Sequence, residues 1–214
     1  MPGPFRLYLV TDRTLVAGGD LGRAVRRALL AVPPGTVGVQ LREKDLAGRA
    51  LLDLACALRE ITRAAGAPLL VNDRVDVALL CEADGVHLPA DGMPIRDARR
   101  LLGPGRLIGV STHAPAEIAS AAAGGADFAV FGPVFATPSK AQYGPPLGTG
   151  ALAAAVAASP LPVFALGGVE ATTARACLAA GAAGIAAIRA GLGAPDPAVA
   201  VAELLRSMED PPDG

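Results

Sequence analysis

The residues of this 214-residue chain best suited to chemistry gather where its apolar runs end. Asp127 to Phe131 reads as a short strand leading into Phe131 to Gly148, F-G-P-V-F-A-T-P-S-K-A-Q-Y-G-P-P-L-G. Small residues there let backbone N–H groups approach a ligand, the hydroxyls of Thr137 and Ser139 add donors, and Lys140 supplies a compact positive charge. That is the composition of an anion cradle. It is also the composition of a surface loop punctuated by Gly and Pro, and the other polar groups must decide between the two.

Those groups recur in the same setting. Gln40, Arg42 and Lys44 follow one apolar run, Asn72 and Asp73 a second, Asp91 comes soon after a third, and Ser111 follows a fourth. Gly167 and Gly168 end another run and precede a helix, which suits a phosphate, while Ile188 and Arg189 end the last. Lys44 and Lys140 are the two lysines among 19 basic residues, and Asn72 is the sole asparagine. In a chain that otherwise uses Arg, each lysine marks a place for a flexible ammonium. Structural alternatives stand beside each: a solvated salt-bridged turn at Arg42-Glu43-Lys44, helix caps at Asn72-Asp73 and Ser111-Thr112, and a plain strand-to-helix turn at Gly167-Gly168.

His87 lies inside an apolar strand and reads as a satisfied core histidine, and His113 as the start of a helix. Neither has a partner placed for a nucleophilic triad, and no His or Cys cluster has zinc spacing, so acyl transfer and zinc hydrolysis are disfavoured. What is left is a set of anion binders with a hard carboxylate, Asp73. Carboxylates beside a diphosphate suit Mg2+, which keeps waters and bridges carboxylate to phosphate oxygens.

The elements that position these residues alternate regularly. Strands are expected at Arg6–Val10, Thr36–Leu41, Pro68–Val71, Gly85–Leu88, Arg106–Val110, Asp127–Phe131, Pro162–Leu166 and Gly184–Ile188. Helices are expected near Asp20–Ala31, Leu46–Ala65, Arg74–Cys81, Ile95–Leu102, Ala114–Ala123, Gly150–Ala158, Ala171–Ala180 and Asp196–Ser207. Near-continuous apolar strands covered by helices indicate a parallel sheet, and eight such units favour an α/β fold, a single (β/α)8 TIM barrel spanning 1–209 with a frayed tail at 210–214. In a barrel the carboxyl ends of the strands converge on one face, so the polar groups meet there, with helix amino termini adding N–H donors. A phosphate site from the loops after strands seven and eight would use Gly167, Gly168, Ile188 and Arg189.

The totals agree with a single large core. Hydrophobic residues make up 52% of the chain, and the formal charge of -1 gives no broad basic field, so nucleic acid and anionic membrane are not expected partners. Cys56, Cys81 and Cys177 are odd in number and sit among apolar helix formers, which fits buried, reduced thiols in a cytoplasmic protein. No amino-terminal leader or membrane-length apolar run is evident. Oligomeric state stays open, a homo-oligomer included.

In order, V-Q-L-R-E-K (Val39–Lys44), V-N-D-R (Val71–Arg74), A-D-G-V-H-L (Ala83–Leu88), I-G-V-S-T-H (Ile108–His113), G-P-V-F-A-T-P-S-K (Gly132–Lys140) and A-L-G-G-V (Ala165–Val169) resemble the thiamine phosphate synthase family and its TenI relatives. The resemblance implies a Mg2+-dependent barrel enzyme that joins a hydroxymethylpyrimidine diphosphate to a thiazole phosphate, releasing pyrophosphate. By matching position, Gln40, Arg42, Lys44, Asn72, Ser111 and Lys140 would hold the pyrimidine diphosphate. Thr137, Pro138, Ser139, Gly168, Ile188 and Arg189 would line the thiazole phosphate side, and Asp73 would ligate the metal. Arg42, Lys44 and Lys140 would stabilise the departing pyrophosphate in a dissociative displacement.

The chain departs from that pattern in three places. The synthases usually carry a second metal-ligating Asp where this chain has Gly92, with Asp91 one residue away as a substitute ligand. Arg189 stands where a serine is usual. A TenI-type thiazole tautomerase uses a histidine where this chain has Pro133, which removes its acid-base group. A tautomerase and a catalytically silent thiazole-phosphate-binding relative remain the alternatives to the synthase.

Overall fold

A computed structural model describes residues 3–30, 32–137 and 145–209; the expected tail at 210–214 lies outside them. Strands Leu7–Val10 (β1), Val37–Leu41 (β2), Leu69–Asn72 (β3), Gly85–Leu88 (β4), Leu107–Thr112 (β5), Phe128–Phe131 (β6), Val163–Ala165 (β7) and Gly184–Ala187 (β8) pair in sequence order. The pairing is parallel throughout, and β1 pairs with β8 as well as with β2, which closes the barrel. Helices Leu21–Leu30 (α1), Gly48–Ala64 (α2), Val75–Leu80 (α3), Ile95–Leu102 (α4), Pro115–Gly124 (α5), Gly148–Ala157 (α6), Ala171–Ala179 (α7) and Pro197–Ser207 (α8) follow the strands in turn.

Strand alternation sorts the side chains into two cores. Leu7, Leu9, Leu69 and Val71 face outward into the large strand–helix core, while Tyr8, Val10 and Leu70 face inward with Phe5, Phe128, Val130, Phe164 and Ala186. Four rings plug the lumen: Phe5 stacks on Tyr8 with centroids 5.0 Å apart, and Phe128 meets Tyr8 edge-on at 5.5 Å and Phe164 at 5.4 Å. Glycines on neighbouring strands make room for them. A Cβ at Gly109 would lie 2.4 Å from a Phe128 ring carbon, and one at Gly38 2.6 Å from Phe5.

On the amino-terminal face, carboxylates tie down the strand starts. Asp84 accepts from Leu69 N at 2.7 Å and from Arg59 at 2.7 Å, and Asp127 accepts from Ile108 N and Arg99, both at 2.6 Å. A cavity of about 510 Å³ opens on this face beside Arg59, Asp84 and Arg106. Its charged groups already serve the fold.

The cysteines correct one expectation. Cys81 and Cys177 are buried, with burial pushing the Cys177 thiol up to about 11, but Cys56 is exposed. Helix α2 turns Leu51, Ala55, Leu58 and Ile61 inward, and the residue after Ala55 is rotated by about 100° toward solvent. Among the described residues no helix is long and apolar enough to cross a membrane.

His87, on the inward face of β4, stands over this ring layer, 5.7 Å from Tyr8 and 6.3 Å from Phe128 between ring centroids. Burial first, and the Arg42 charge second, push its pKa down from 6.5 to about 3. The folded state therefore favours the neutral ring. The stability this gives is complete above pH 6.5 and is lost as pH falls toward 3. Between pH 7 and pH 4 this one group is expected to contribute up to about 3 kcal/mol of acid destabilisation. Urea titrations at the two pH values, with His87→Gln beside the wild type, check it: the variant should lose distinctly less stability on acidification.

Candidate active site

β2 carries the first polar residues above the ring layer. Gln40 is buried and its Nε2 donates to the Tyr8 hydroxyl at 3.2 Å, while burial raises the Tyr8 pKa and keeps that phenol protonated. Beyond the strand end, alternate residues part company. Glu43 turns away from the barrel axis and is only 5% exposed. It accepts from Thr11 Oγ1 at 2.7 Å, from Arg13 N at 3.1 and 3.2 Å, and from Arg13 Nη1 at 3.0 Å. Arg13 also grips Asp45 through both guanidinium nitrogens, at 2.6 and 2.5 Å. Thr11 Oγ1 in turn accepts from Arg42 N at 2.9 Å.

This clamp ties the loop after β1 to the end of β2. It also overturns the alternative of a self-paired Arg42-Glu43-Lys44 turn, because the carboxylate between the two cations is already committed to Thr11 and Arg13. Among the described residues neither Arg42 nor Lys44 has an ion-pair partner. The Arg42 charge is near enough to His87 to add to the depression of its pKa that burial causes.

β3 ends on Asn72, half-buried and in register with His87. Asp73 follows at φ 61°, a left-handed conformation that a residue with a Cβ adopts at a cost, and its N–H donates to His87 O at 2.9 Å. Neither caps α3, whose N-cap is Arg74, itself paired with Asp76 at 2.6 Å. Ser111 and Thr112 likewise belong to β5 rather than to a cap. The Ser111 Oγ lies 3.0 Å from His87 Nε2, and the buried Thr112 hydroxyl donates to Val130 O at 3.3 Å. His113 stands just ahead of α5, its N–H donating to Glu117 at 2.6 Å and its Nδ1 2.5 Å from Gly132 O. His87 is a core residue as expected but is satisfied on one nitrogen only, since its Nδ1 has no hydrogen-bond partner among the described residues.

The loop after β4 turns tightly, Gly92 N donating to Pro89 O at 3.0 Å, and brings Gly92 against Asp73. A Cβ at Gly92 would sit 3.0 Å from Asp73 Oδ1. The neighbouring Asp91 is exposed, and no group of three or more His, Cys, Asp or Glu that could hold a metal ion occurs among the described residues. A cavity of about 300 Å³ lies beside this loop, lined by Pro89, Gly92, Met93, Ser111 and Glu117.

Across the mouth, the loop after β6 is stitched to the end of β7: Val134 N donates to Leu166 O and Phe135 N to Gly167 O, both at 2.8 Å. The approach requires the glycine pair. Gly167 and Gly168 have φ of 96° and 62°, and side chains there would strike Pro133 and Ala136 O, each 2.5 Å away. Thr137 closes the described part of the loop; the expected ligands Pro138, Ser139 and Lys140 lie outside the described residues. Ile188 packs on the inner cluster, and Arg189 beyond it is exposed.

Gln40, Arg42, Asn72, Asp73 and Ser111 thus share one rim sector with His87, and Gly168 faces the β6 loop opposite. Thr11, Arg13 and Glu43 are the residues that sequence reasoning passed over as parts of the site. The period of two carried past the end of β2 separates Glu43 from 40, 42 and 44, but nothing local points to Thr11 and Arg13 as its partners.

Residues 7–190 match the family described as thiamine monophosphate synthase, TMP-TENI. A Geobacter sulfurreducens protein, whose thiamine-phosphate synthase name is itself provisional, is 55% identical over 193 residues, 90% of this chain and 89% of its own. A thiamine-phosphate synthase of Methanoculleus marisnigri is 46% identical over 209 residues, covering 96% and 94% of the two chains. The solved thiamine phosphate pyrophosphorylase of Pyrococcus furiosus superposes with a TM-score of 0.85 at 35% identity, over 96% of both chains. A 3-hexulose-6-phosphate synthase at 20% identity and a TM-score of 0.70 shares the fold. With the match spanning every strand but the last helix, the chain belongs to the thiamine monophosphate synthase family.

Proposed function

We propose that this protein is a thiamine phosphate synthase, a transferase that joins 4-amino-2-methyl-5-hydroxymethylpyrimidine diphosphate to 4-methyl-5-(2-phosphoethyl)thiazole and releases pyrophosphate. The observation that carries the reading is the pair of cations just past the end of β2: among the described residues Arg42 and Lys44 have no ion-pair partner, and the carboxylate between them is held by Thr11 and Arg13. That leaves local positive charge for a diphosphate in a chain of net charge -1.

Gln40 and Asn72 orient the pyrimidine, and Arg42, Lys44, Ser111 and Lys140 take the diphosphate. As the carbon–oxygen bond to the diphosphate breaks, these donors stabilise the charge gathering on the leaving oxygen, and the thiazole nitrogen captures the pyrimidinylmethyl carbocation. No protein nucleophile takes part, so the chain contributes positioning and preorganised electrostatics. Thr137, Pro138, Ser139, Gly168, Ile188 and Arg189 hold the thiazole phosphate on the opposite side. Asp73, an exposed carboxylate on a fixed left-handed backbone, fits Mg2+, with Asp91 as the nearest further carboxylate in sequence. Bound there, Mg2+ would supply further neutralisation of the diphosphate. Pro133 has no acid-base group and so does not support the tautomerase reading.

Purified protein given both substrates and Mg2+ is expected to form thiamine phosphate with stoichiometric pyrophosphate release. Absence of product under conditions where a known synthase turns over would remove the proposal. Thr11→Val deletes the hydroxyl that joins Arg42 N to Glu43, and should raise KM for the pyrimidine diphosphate about tenfold, the worth of one charge-linked hydrogen bond. The KM for the thiazole phosphate should stay within about twofold in steady-state assays. Gly92→Asp places a second carboxylate beside Asp73 once the Pro89 ring, whose Cδ lies 2.8 Å from the new Cβ, gives way, and the Mg2+ concentration for half-maximal rate should then fall about tenfold, as read from metal titrations.

A further inference from the structure

The hydrogen-bond partner of Ser111 is a histidine, and the histidine's protonation decides what the serine can do. The ring of His87 is buried against Tyr8 and Phe128, and among the described residues it has no carboxylate partner. Such a ring is neutral and carries one N–H. Its Nε2 is 3.0 Å from Ser111 Oγ; its Nδ1 is buried without a hydrogen-bond partner among the described residues.

What Nδ1 faces is informative. A Cβ built on Gly109 would lie 2.9 Å from it, so the bare Gly109 Cα, which carries only C–H groups, is a close neighbour of this nitrogen. A proton on Nδ1 would bury an unpaired N–H donor against a C–H group. A lone pair on Nδ1 would meet that C–H as a weak acceptor, and buried unpaired donors are the rarer and costlier kind. The proton therefore belongs on Nε2.

We propose that His87 is a positioning residue for Ser111, its Nε2–H donating to the serine oxygen so that the serine O–H is turned outward as a donor to the diphosphate of the substrate. A serine hydroxyl has one hydrogen. Were Nε2 the acceptor, that hydrogen would be spent inside the barrel, and Ser111 would present only lone pairs to an anion. The absence of a side chain at Gly109 is part of the device, since any Cβ there would strike both the Phe128 ring and the Nδ1 face.

The proposal rests on the synthase reading for its substrate, and two measurements keep the two apart. In free 15N-histidine-labelled protein at neutral pH, NMR should show His87 with a protonated Nε2 and a bare, pyridine-like Nδ1; the reverse tautomer overturns the proposal whatever the substrate. Calorimetric binding of the pyrimidine diphosphate then tests the link through a double-mutant cycle. Ser111→Ala and His87→Phe should each weaken binding about tenfold, and the double variant should lose no more than either alone. His87→Gln, which keeps an N–H donor, should recover most of the loss. Binding of the thiazole phosphate should stay unchanged in all four. Additive losses, or equal losses for both substrates, overturn the coupling. Failure of the wild type to bind the pyrimidine diphosphate would overturn the proposed function and the outward role of Ser111 together, while the tautomer stands on its own result.

Discussion

Closure of the sheet is the constraint on which the rest of the molecule depends. Because β1 pairs with both β2 and β8, no strand has a free edge, and each must show one face to the helices and the other to a narrow lumen. The lumen is filled by Phe5, Tyr8, Phe128 and Phe164, so nothing passes through the barrel and a ligand can only rest on its carboxyl end. The first polar residues met above the rings, Gln40, Asn72, His87 and Ser111, form the floor of that bowl. The Gln40–Tyr8 hydrogen bond is the seam where core becomes site.

The division of charge follows the same geometry. Carboxylates that serve the fold are satisfied by backbone N–H groups as well as by arginines: Asp84 and Asp127 at the starts of strands, Glu43 behind the end of β2. N–H donors replace the hydration such a carboxylate gives up on burial, where one left without partners would be costly. Glu43 is thereby withdrawn from Arg42 and Lys44. Had it paired with either, that end of β2 would have neutralised part of its own charge.

The period of the chain made the barrel legible. All eight strands lie within a residue or two of where their apolar runs place them, because each is bounded by residues that cannot continue a buried strand. Helix α6 begins at Gly148, earlier than the Gly150 its composition indicates, since Gly148 N is fixed by Val134 O. Residue types at strand ends pointed to the rim, but not to which of them work in pairs. The clamp joins residues about 30 apart, and the His87–Ser111 bond spans 24, so neither leaves a local trace. Cys56 was misplaced for a simpler reason: its neighbours are apolar, but a helix in contact on one side buries only a stripe.

The loop after β4 is held by its own backbone rather than by acidic side chains. A glycine at 92 removes a carboxylate from the side of Asp73, yet the loop keeps its course. Its turn is closed by the Gly92–Pro89 backbone bond, and it is tight enough that a Cβ at Gly92 would lie 2.8 Å from Pro89 Cδ. The backbone of Asp73 is likewise held by His87 O rather than by any ligand. Both halves of the acidic corner are therefore preformed by neutral contacts. The course of the chain at Asp73 and Gly92 thus follows from backbone hydrogen bonds and not from a carboxylate pair.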